Sequence, residues 1–363
     1  MTSAATNPTQ APAASPAQAA GSAVSRQRAI LITGAGGEVG HGLIHALSEA
    51  GGTPIVALDL RPLDEDLAQR CAETVVADIR DPLALLPVVS RYEIAEVFHL
   101  AALLSTTSER NPVLAQQVNV RGTMHVLRVA AEQGRARGTP VRVVYPSSIA
   151  VYGLPSAEAK AAAGAVREDE HLTPITMYGV NKLACEQLGR YFGEHYKLLD
   201  DQPPPIDFRC IRYPGLISPH TAPSGGTSDY GPLMLHAAAR GEEAACFVPG
   251  EARLPFMLMR DAIDATLALA RAEEPPAGPR GRVYNVASFA PTAAEMFEAI
   301  KVHFPNARLR YDIEPKRARI VESWPADVDR SAAERHLGVP AGRPFAEALA
   351  DELAPAVRSM YVS

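Results

Sequence analysis

Tyr178 and Lys182 are the two side chains whose types and spacing best fit acid–base chemistry. They stand four residues apart in "MYGVNK", so a helix over this segment places both on one face. A phenol with a pKa of ~10 is a poor base at neutral pH unless a nearby cation favours its phenolate. Lys182 supplies that cation, and the pair is therefore suited to accept a hydroxyl proton while hydride leaves carbon. The alternative is a half-buried tyrosine beside a solvated lysine.

A glycine-rich turn, "ITGAGGEVG", lies between a short apolar strand and an amphipathic helix, which is the context of a dinucleotide-binding turn. Gly34, Gly37 and Gly40 let the backbone approach a pyrophosphate, and the helix N-terminus offers N–H donors. Asp59 ends the next apolar segment, where a carboxylate accepts hydrogen bonds from a ribose 2′-hydroxyl and repels a 2′-phosphate. The sequence therefore predicts NAD rather than NADP as the cofactor. Neighbouring Arg61 is expected to be a solvated surface residue.

The elements that must position these residues follow an alternating pattern. Strands are expected at 29–33, 54–60, 74–77, 96–100 and 141–145, with helices at 38–50 and 112–133. Apolar strands separated by helices predict a parallel sheet covered on both faces and joined by right-handed crossovers. The predicted fold class is thus α/β, a doubly wound parallel-sheet Rossmann fold. Helical patterns at 231–240, 261–272 and 293–303 predict a smaller C-terminal substrate lobe.

We expect three regions along the chain. Residues 1–26 form a disordered tail, 27–212 the NAD-binding Rossmann domain, and 213–363 mainly the substrate lobe, with some segments returning to the sheet. The tail carries no charged side chain before Arg26 and too few apolar ones to offset its ordering entropy. It lacks the pattern of a secretory signal or a transit peptide, so a cytoplasmic location is expected.

Composition excludes several other classes of protein. The net charge of -6 argues against a nucleic-acid partner, which favours a basic face. No apolar run approaches the ~18 residues that span a bilayer, so no membrane partner is expected. The 4 cysteines are widely separated and form no CxxC pair. They are expected to be small buried hydrophobic side chains, and no metal site is predicted.

The glycine spacing GxxGxxG resembles the extended short-chain dehydrogenase/reductase superfamily. Further stretches resemble it in the same order, namely "ADIRD", "HLAA", "NVRGT", "SSIAVYG" and "MYGVNK". The resemblance implies that Ser148 is catalytic together with Tyr178 and Lys182, holding the substrate oxygen beside the phenol. It also implies cofactor contacts from Asp78, Ile79, Leu100, Ala101, Ala102, Asn119 and Lys182. Taken alone, Asn119 would be a helix-surface amide.

Within that superfamily the chain resembles the short-chain L-threonine 3-dehydrogenases. The similar segments are "HLAALLS", "RYPG", "GGTSDY", "RLPFMLMRDAIDA" and "SWPADVD", and the resemblance covers about residues 29–340. It implies NAD-dependent oxidation of the 3-hydroxyl of L-threonine to L-2-amino-3-oxobutanoate, and a homodimer built from residues 112–133 and 177–197. The implied substrate contacts are Ser105, Ser148, Tyr178, Thr227 and Trp324, while Tyr213 and Pro214 flank the nicotinamide.

Other interpretations stay open. A nucleotide-sugar epimerase or dehydratase uses the same Ser, Tyr and Lys, but residues 213–250 contain no basic cluster for a nucleoside diphosphate. A dehydrogenase of another β-hydroxy acid fits the same residues. A non-catalytic NAD-binding protein would be expected to lack Tyr178 or Lys182. The chain departs from the family at 336–339, "HLGV", where a Trp-Gly-Trp-like segment is usual, and by the insertion "LLDDQPPP" at 198–205.

Overall fold

A computed structural model describes residues 26–221, 223, 226–273 and 283–361, so nearly all of the expected tail lies outside the described residues. The strands are β1 (Gln27–Thr33), β2 (Ile55–Asp59), β3 (Glu73–Val76), β4 (Tyr92–His99), β5 (Val141–Ser148), β6 (Ala165–Val166), β7 (Ile206–Tyr213), β8 (Gly215–Ile217), β9 (Glu243–Cys246), β10 (Phe256–Leu258), β11 (Val283–Asn285), β12 (Arg308–Tyr311) and β13 (Asp327–Val328).

The α-helices are α1 (Glu38–Ala50), α2 (Glu65–Gln69), α3 (Leu86–Arg91), α4 (Ser105–Arg110), α5 (Pro112–Gln116), α6 (Gly122–Arg137), α7 (Ala157–Ala163), α8 (Met177–Arg190), α9 (Tyr230–Ala239), α10 (Met259–Arg271), α11 (Ala293–His303), α12 (Pro315–Ser323), α13 (Ser331–Leu337), α14 (Phe345–Ala348) and α15 (Ala354–Tyr361). Single π-helical turns occupy Gln117–Arg121, Tyr191–His195 and Leu349–Leu353, and a 3₁₀ turn occupies Ile149–Val151. No helix in the described ranges is long and apolar enough to cross a membrane.

The described strands of the central sheet run parallel in the order β11-β7-β5-β4-β1-β2-β3. The chain moves outward from β1 through β2 and β3 and then returns to β4 on the other side of β1. A crevice therefore opens at the carboxyl ends of β1 and β4, which is where ligands bind in such sheets. The predicted fold class is confirmed.

Buried side chains cover both faces of this sheet, which explains why its central strands form continuous apolar runs. One face packs against α6 and α8, with Leu127 and Cys185 fully buried. The other packs against α1, α10 and α13, with Leu43 and Ala262 fully buried. The two layers of helices support the strands from both faces, and the loops that form the crevice follow the carboxyl ends of those strands.

A third buried cluster forms a lobe over that edge. It contains α9, α11, α12, α14 and α15 and the small parallel pairs β8–β10, β9–β12 and β6–β13. The chain crosses between lobe and sheet in both directions: β6 precedes residue 212 yet pairs with β13, whereas β11 follows it and pairs with β7. The boundary at 212 stays a prediction. This crossing brings segments from both halves of the chain to one crevice.

Candidate active site

Ser148, Tyr178 and Lys182 meet at the carboxyl end of β5. Ser148 is the last residue of that strand, where it pairs in register with Tyr213 of β7. Tyr178 and Lys182 stand on α8, whose N-terminus is capped by the Thr176 hydroxyl, which accepts a hydrogen bond from the Gly179 N–H at 3.1 Å. A Cβ atom at Gly179 would lie 2.0 Å from the Ala150 carbonyl oxygen, so glycine is required for α8 to approach the segment after Ser148. This approach brings Tyr178 within hydrogen-bonding reach of Ser148.

The electrostatics of these three residues depend on burial. Burial raises the pKa of Tyr178 well above its ordinary value, and the hydrogen bond from Ser148 opposes that shift. Burial also lowers the pKa of the Lys182 ammonium to about 8. That ammonium donates to the Pro146 carbonyl oxygen at 2.6 Å and lies 5.6 Å from the centre of the Tyr178 ring. The Lys182 charge is thus held at a distance from which it favours a phenolate on Tyr178.

A cavity of ≈ 850 Å³ extends from these residues across the carboxyl ends of β1, β2, β4 and β5. The turn after β1 forms its floor, where Gly34 has a φ of +70° and a Cβ would lie 2.5 Å from the Ala101 nitrogen. Gly37 and Gly40 line the same cavity at the N-terminus of α1. Asp59 also faces it, and its carboxylate accepts the Gly36 N–H at 2.9 Å. The floor thus combines a glycine-rich backbone without side chains, a helix N-terminus and a carboxylate, as a dinucleotide requires.

The remaining predicted cofactor residues, apart from Asn119, line the same cavity. Asp78 lies at one end, where hydrogen bonds from Arg80 lower its pKa and the Arg80 Nε donates to it at 2.9 Å. The same cavity is lined by Ile79, Leu100, Ala101, Ala102, Lys182, Tyr213 and Pro214. The Tyr213 hydroxyl is engaged behind the wall with Thr266, so its ring and backbone, rather than its hydroxyl, border the cavity. Cofactor contact by each of these residues remains a prediction.

Asn119 lies behind the cavity wall. It is 1% exposed, and its side-chain amide makes two hydrogen bonds with the backbone of Leu103, at 2.7 and 3.0 Å. This pairing fixes the loop that follows "HLAA". The structure therefore shows Asn119 as a brace for a cavity-lining loop, and direct contact with a cofactor remains a prediction.

Ser147, which directly precedes Ser148 in β5, has a buried hydroxyl. Its Oγ has no hydrogen-bond partner among the described residues, and Ser147 lines the cavity between Pro146 and Ser148. A buried hydroxyl without a partner is costly unless a bound group satisfies it. The residues present therefore fit NAD, with the Ser147 hydroxyl available to a polar group of the cofactor.

The lobe contributes the opposite wall. Thr227 is 3% exposed and its hydroxyl donates to the Ser105 hydroxyl at 3.0 Å, joining the lobe to the loop after β4. Trp324, the one tryptophan of the sequence, is 5% exposed and lines the same cavity. Gly226 precedes Thr227, whereas Gly225 lies outside the described residues. The three predicted substrate residues from distant segments are thus brought to one cavity with Tyr178 and Ser148.

A buried ion pair that sequence reasoning missed supports this wall. Arg212 and Glu186 are each about 2% exposed and join through two hydrogen bonds, of 2.6 and 2.9 Å. Arg212 also donates to the Tyr152 hydroxyl at 2.8 Å, and Tyr152 donates to Asn285 at 2.7 Å. The network joins α8, which carries Tyr178 and Lys182, to β7 and β11. Its one sequence signal is the position of Glu186, one turn after Lys182 on the same helix face.

Comparison with known proteins gives the class of this molecule. The NAD dependent epimerase/dehydratase family matches residues 30–287. The mitochondrial L-threonine 3-dehydrogenase of Bos taurus is 34% identical over 313 residues, which are 86% of this chain and 78% of the bovine protein. The chain belongs to the NAD dependent epimerase/dehydratase family.

Solved structures place it more narrowly. A monomeric L-threonine 3-dehydrogenase from a metagenome, in its apo form, matches with a TM-score of 0.77 and 33% identity, over 92% of this chain and 100% of that one. The GalE-like L-threonine dehydrogenase of Cupriavidus necator, in its holo form, gives a TM-score of 0.77 and 33% identity, over 90% and 99%. These similarities confirm the predicted resemblance to short-chain L-threonine 3-dehydrogenases.

Proposed function

We propose that this protein is an NAD-dependent dehydrogenase that oxidises the 3-hydroxyl of L-threonine to L-2-amino-3-oxobutanoate. The observation that carries the proposal is the shared cavity, in which Ser148, Tyr178 and Lys182 face Ser105, Thr227 and Trp324. Its substrate end offers short hydroxyl groups and an aromatic wall, which suit a small zwitterion. The names of the similar proteins supply the substrate class.

The chemistry follows from the positions of these residues. Ser148 holds the substrate hydroxyl beside Tyr178, and Tyr178 accepts its proton as the O–H bond breaks and the carbonyl forms. Lys182 stabilises, by its charge, the phenolate form of Tyr178 that accepts this proton. Bound NAD would supply the acceptor for the hydride that leaves C3. Gly34, Gly37 and Asp59 would hold the cofactor at the pyrophosphate and ribose, and the lobe excludes water from the reacting carbon.

The nucleotide-sugar interpretation is less well supported. Among the described residues that line the cavity, the basic ones other than Lys182 are Arg61 and Arg80, and both lie at the Asp59 and Asp78 end. The substrate end therefore lacks a cation for a second nucleotide's phosphates. A cytoplasmic location and a homodimer stay predictions.

A steady-state comparison of substrates tests the proposed function. The purified enzyme with NAD is assayed with L-threonine, L-serine, 3-hydroxybutyrate and UDP-glucose, with a Tyr178→Phe variant as the blank. We expect NADH formation with the highest kcat/KM for L-threonine. Conversion of UDP-glucose to its 4-epimer without net NADH would instead establish an epimerase, and a preference for 3-hydroxybutyrate would establish a hydroxy-acid dehydrogenase.

A further inference from the structure

Helix α12 connects two walls of the substrate end of the cavity. Its first turn contacts the 226–229 segment, which contains Thr227, and its last residue directly precedes Trp324. Thr227 and Trp324 lie 97 residues apart in the sequence, so the local course of the chain does not bring them together. A helix that touches both segments is placed to hold them in one arrangement.

Arg317 makes the contact at the first turn. Its guanidinium donates to the Gly226 carbonyl oxygen at 2.8 Å, adjacent to Thr227. The same guanidinium stacks on the Phe247 ring, 3.4 Å from the ring centre, and pairs with Glu314 at 3.1 Å. Phe247 is 3% exposed within the lobe core, so it provides a fixed platform for the guanidinium. Arg317 thus has a rigid support on one side and the backbone of the Thr227 segment on the other.

The other end of α12 is fixed to the segment that follows the catalytic serine. The Leu154 N–H donates to the Ser323 carbonyl oxygen at 2.8 Å. The buried Lys160 ammonium donates to the Val321 carbonyl oxygen at 3.0 Å, at the helix C-terminus, where a cation is favoured. The C-terminal end of α12 is therefore held by residues that follow Ser148 by 6 and 12 positions.

We propose that Arg317 is a positioning residue that holds the Gly226 carbonyl so that Thr227 reaches the substrate opposite Ser105, with Trp324 as the adjoining wall. The identity of the substrate in this proposal rests on the proposed function. Without the guanidinium, the 226–229 segment loses its charged hydrogen bond to α12 and populates other conformations. The apparent affinity for substrate then falls in proportion to the fraction of molecules that keep the arrangement able to bind it. The contacts that the structure gives Arg317 are to Gly226, Phe247 and Glu314, and these three residues are not part of the cofactor floor.

The test compares Arg317→Met with Arg319→Met, which changes an exposed arginine on the same helix. A charge-assisted hydrogen bond is typically worth enough for a roughly tenfold or larger effect, so KM for L-threonine should rise by about that factor in Arg317→Met. The Kd for NAD and the thermal midpoint should stay near wild type. Guanidinium ion at tens of millimolar should lower the KM of an Arg317→Ala enzyme but leave a Thr227→Ala enzyme unchanged. Arg319→Met should behave as wild type.

A second readout is independent of the substrate. Because Trp324 is the one tryptophan, acrylamide quenching of its fluorescence in the NAD complex reports the state of this wall. Quenching should increase in Arg317→Met and stay unchanged in Arg319→Met. If wild type does not oxidise L-threonine, the proposed function fails while this measurement still decides the role of Arg317. Unchanged quenching, an equal KM effect from Arg319→Met, or a KM rise that merely tracks a lower thermal midpoint would overturn the inference.

Discussion

Two opposing effects act on the pKa of Tyr178 in the candidate active site. Burial raises its pKa, which disfavours the phenolate, whereas the Ser148 hydrogen bond and the nearby Lys182 ammonium favour it. The Lys182 pKa, lowered to about 8 by burial, leaves that ammonium mostly charged at neutral pH. The protonation state of Tyr178 thus depends on Ser148 and Lys182. Replacement of this tyrosine tests the mechanism directly.

Tyr178→Phe should lower kcat by ~10²- to 10⁴-fold, because it removes the group that accepts the substrate proton and keeps the ring. The Kd for NAD, measured by fluorescence titration, should change little. Tyr191→Phe is the matched control, since it removes a hydroxyl in the π-helical turn that follows α8. An enzyme with Tyr178→Phe that keeps full turnover would require a different base.

Asp59→Ala should reduce the preference for NAD over NADP. The carboxylate faces the cavity beside the glycine turn, where it repels a 2′-phosphate, and like charges a few ångström apart near a surface repel by about a few kcal/mol. The ratio of kcat/KM for NAD to that for NADP should therefore fall by roughly tenfold or more. Asp64→Ala, an exposed carboxylate nearby, should leave the ratio unchanged. A wild-type preference for NADP would refute the assignment and would make Arg61 a candidate phosphate contact.

Local sequence patterns predicted the central elements well and their termini less well. Helix α1 has the predicted bounds because its apolar stripe and glycine turn are local signals. β4 begins at Tyr92, four residues before its predicted start, because the neighbouring strand β1 also pairs with 92–94, and a register shift at residue 95 separates this pairing from the rest of the strand. The predicted helix 112–133 contains a π-helical turn at Gln117–Arg121, which carries Asn119. Such turns depend on tertiary packing, which a local pattern does not encode.

His99, at the end of β4, should make the sheet acid-sensitive. Its ring is hydrogen-bonded to Thr33 at 2.6 Å and Thr123 at 2.9 Å. Burial, with the Lys182 charge, lowers the pKa of His99 to about 3, whereas the unfolded chain titrates near its ordinary value of ~6.5. Between those values the unfolded state binds more protons, so stability falls as pH falls through that window.

Between pH 7 and pH 5 this residue should lower the free energy of unfolding by about 2 kcal/mol. Chemical denaturation at the two pH values measures the difference for wild type and for His99→Gln. We expect the variant, less stable overall, to show a smaller difference. His220→Gln, at an exposed histidine, should show the wild-type difference. An unchanged pH dependence in His99→Gln would assign the acid sensitivity to other groups.

At the scale of the whole molecule, the fold brings together residues that lie far apart in sequence. The Thr227–Ser105 hydrogen bond spans 122 positions and the Tyr152–Asn285 bond spans 133. Family resemblance placed Ser105 and Thr227 at one substrate, but no local pattern shows that they contact each other. The same limit explains why Arg317 and the Arg212–Glu186 pair were missed. Their roles depend on partners that the fold alone brings near.

The predicted homodimer rests on an apolar surface along α5 and α8. Val113 is 67% exposed, Val180 47% and Tyr191 44%, whereas Phe192 is 3% exposed and belongs to the core. Leu183 and Leu188 also pack inward. The exposed apolar surface within 177–197 is therefore narrow, and one structural relative is described as monomeric.

Light scattering should give twice the 38.7 kDa chain mass for wild type. Val180→Glu should give the single-chain mass, because it places a charge in the apolar surface. Leu199→Glu is the control, at a fully exposed leucine of the 198–205 insertion, and should remain dimeric. A monomeric wild type would leave α8 as a surface of a single chain.

The buried pair of Arg212 and Glu186 also constrains how this sequence can diverge. Losing either partner alone leaves an unpaired buried charge, which typically costs about 3–5 kcal/mol, a large part of a domain's stability. Replacing both by apolar residues of similar volume is often nearly neutral. An evolving sequence that replaces the two residues one at a time therefore passes through a single-substituted protein that is much less stable. We expect related sequences to keep both charges or neither, so that the residues at the two positions change together.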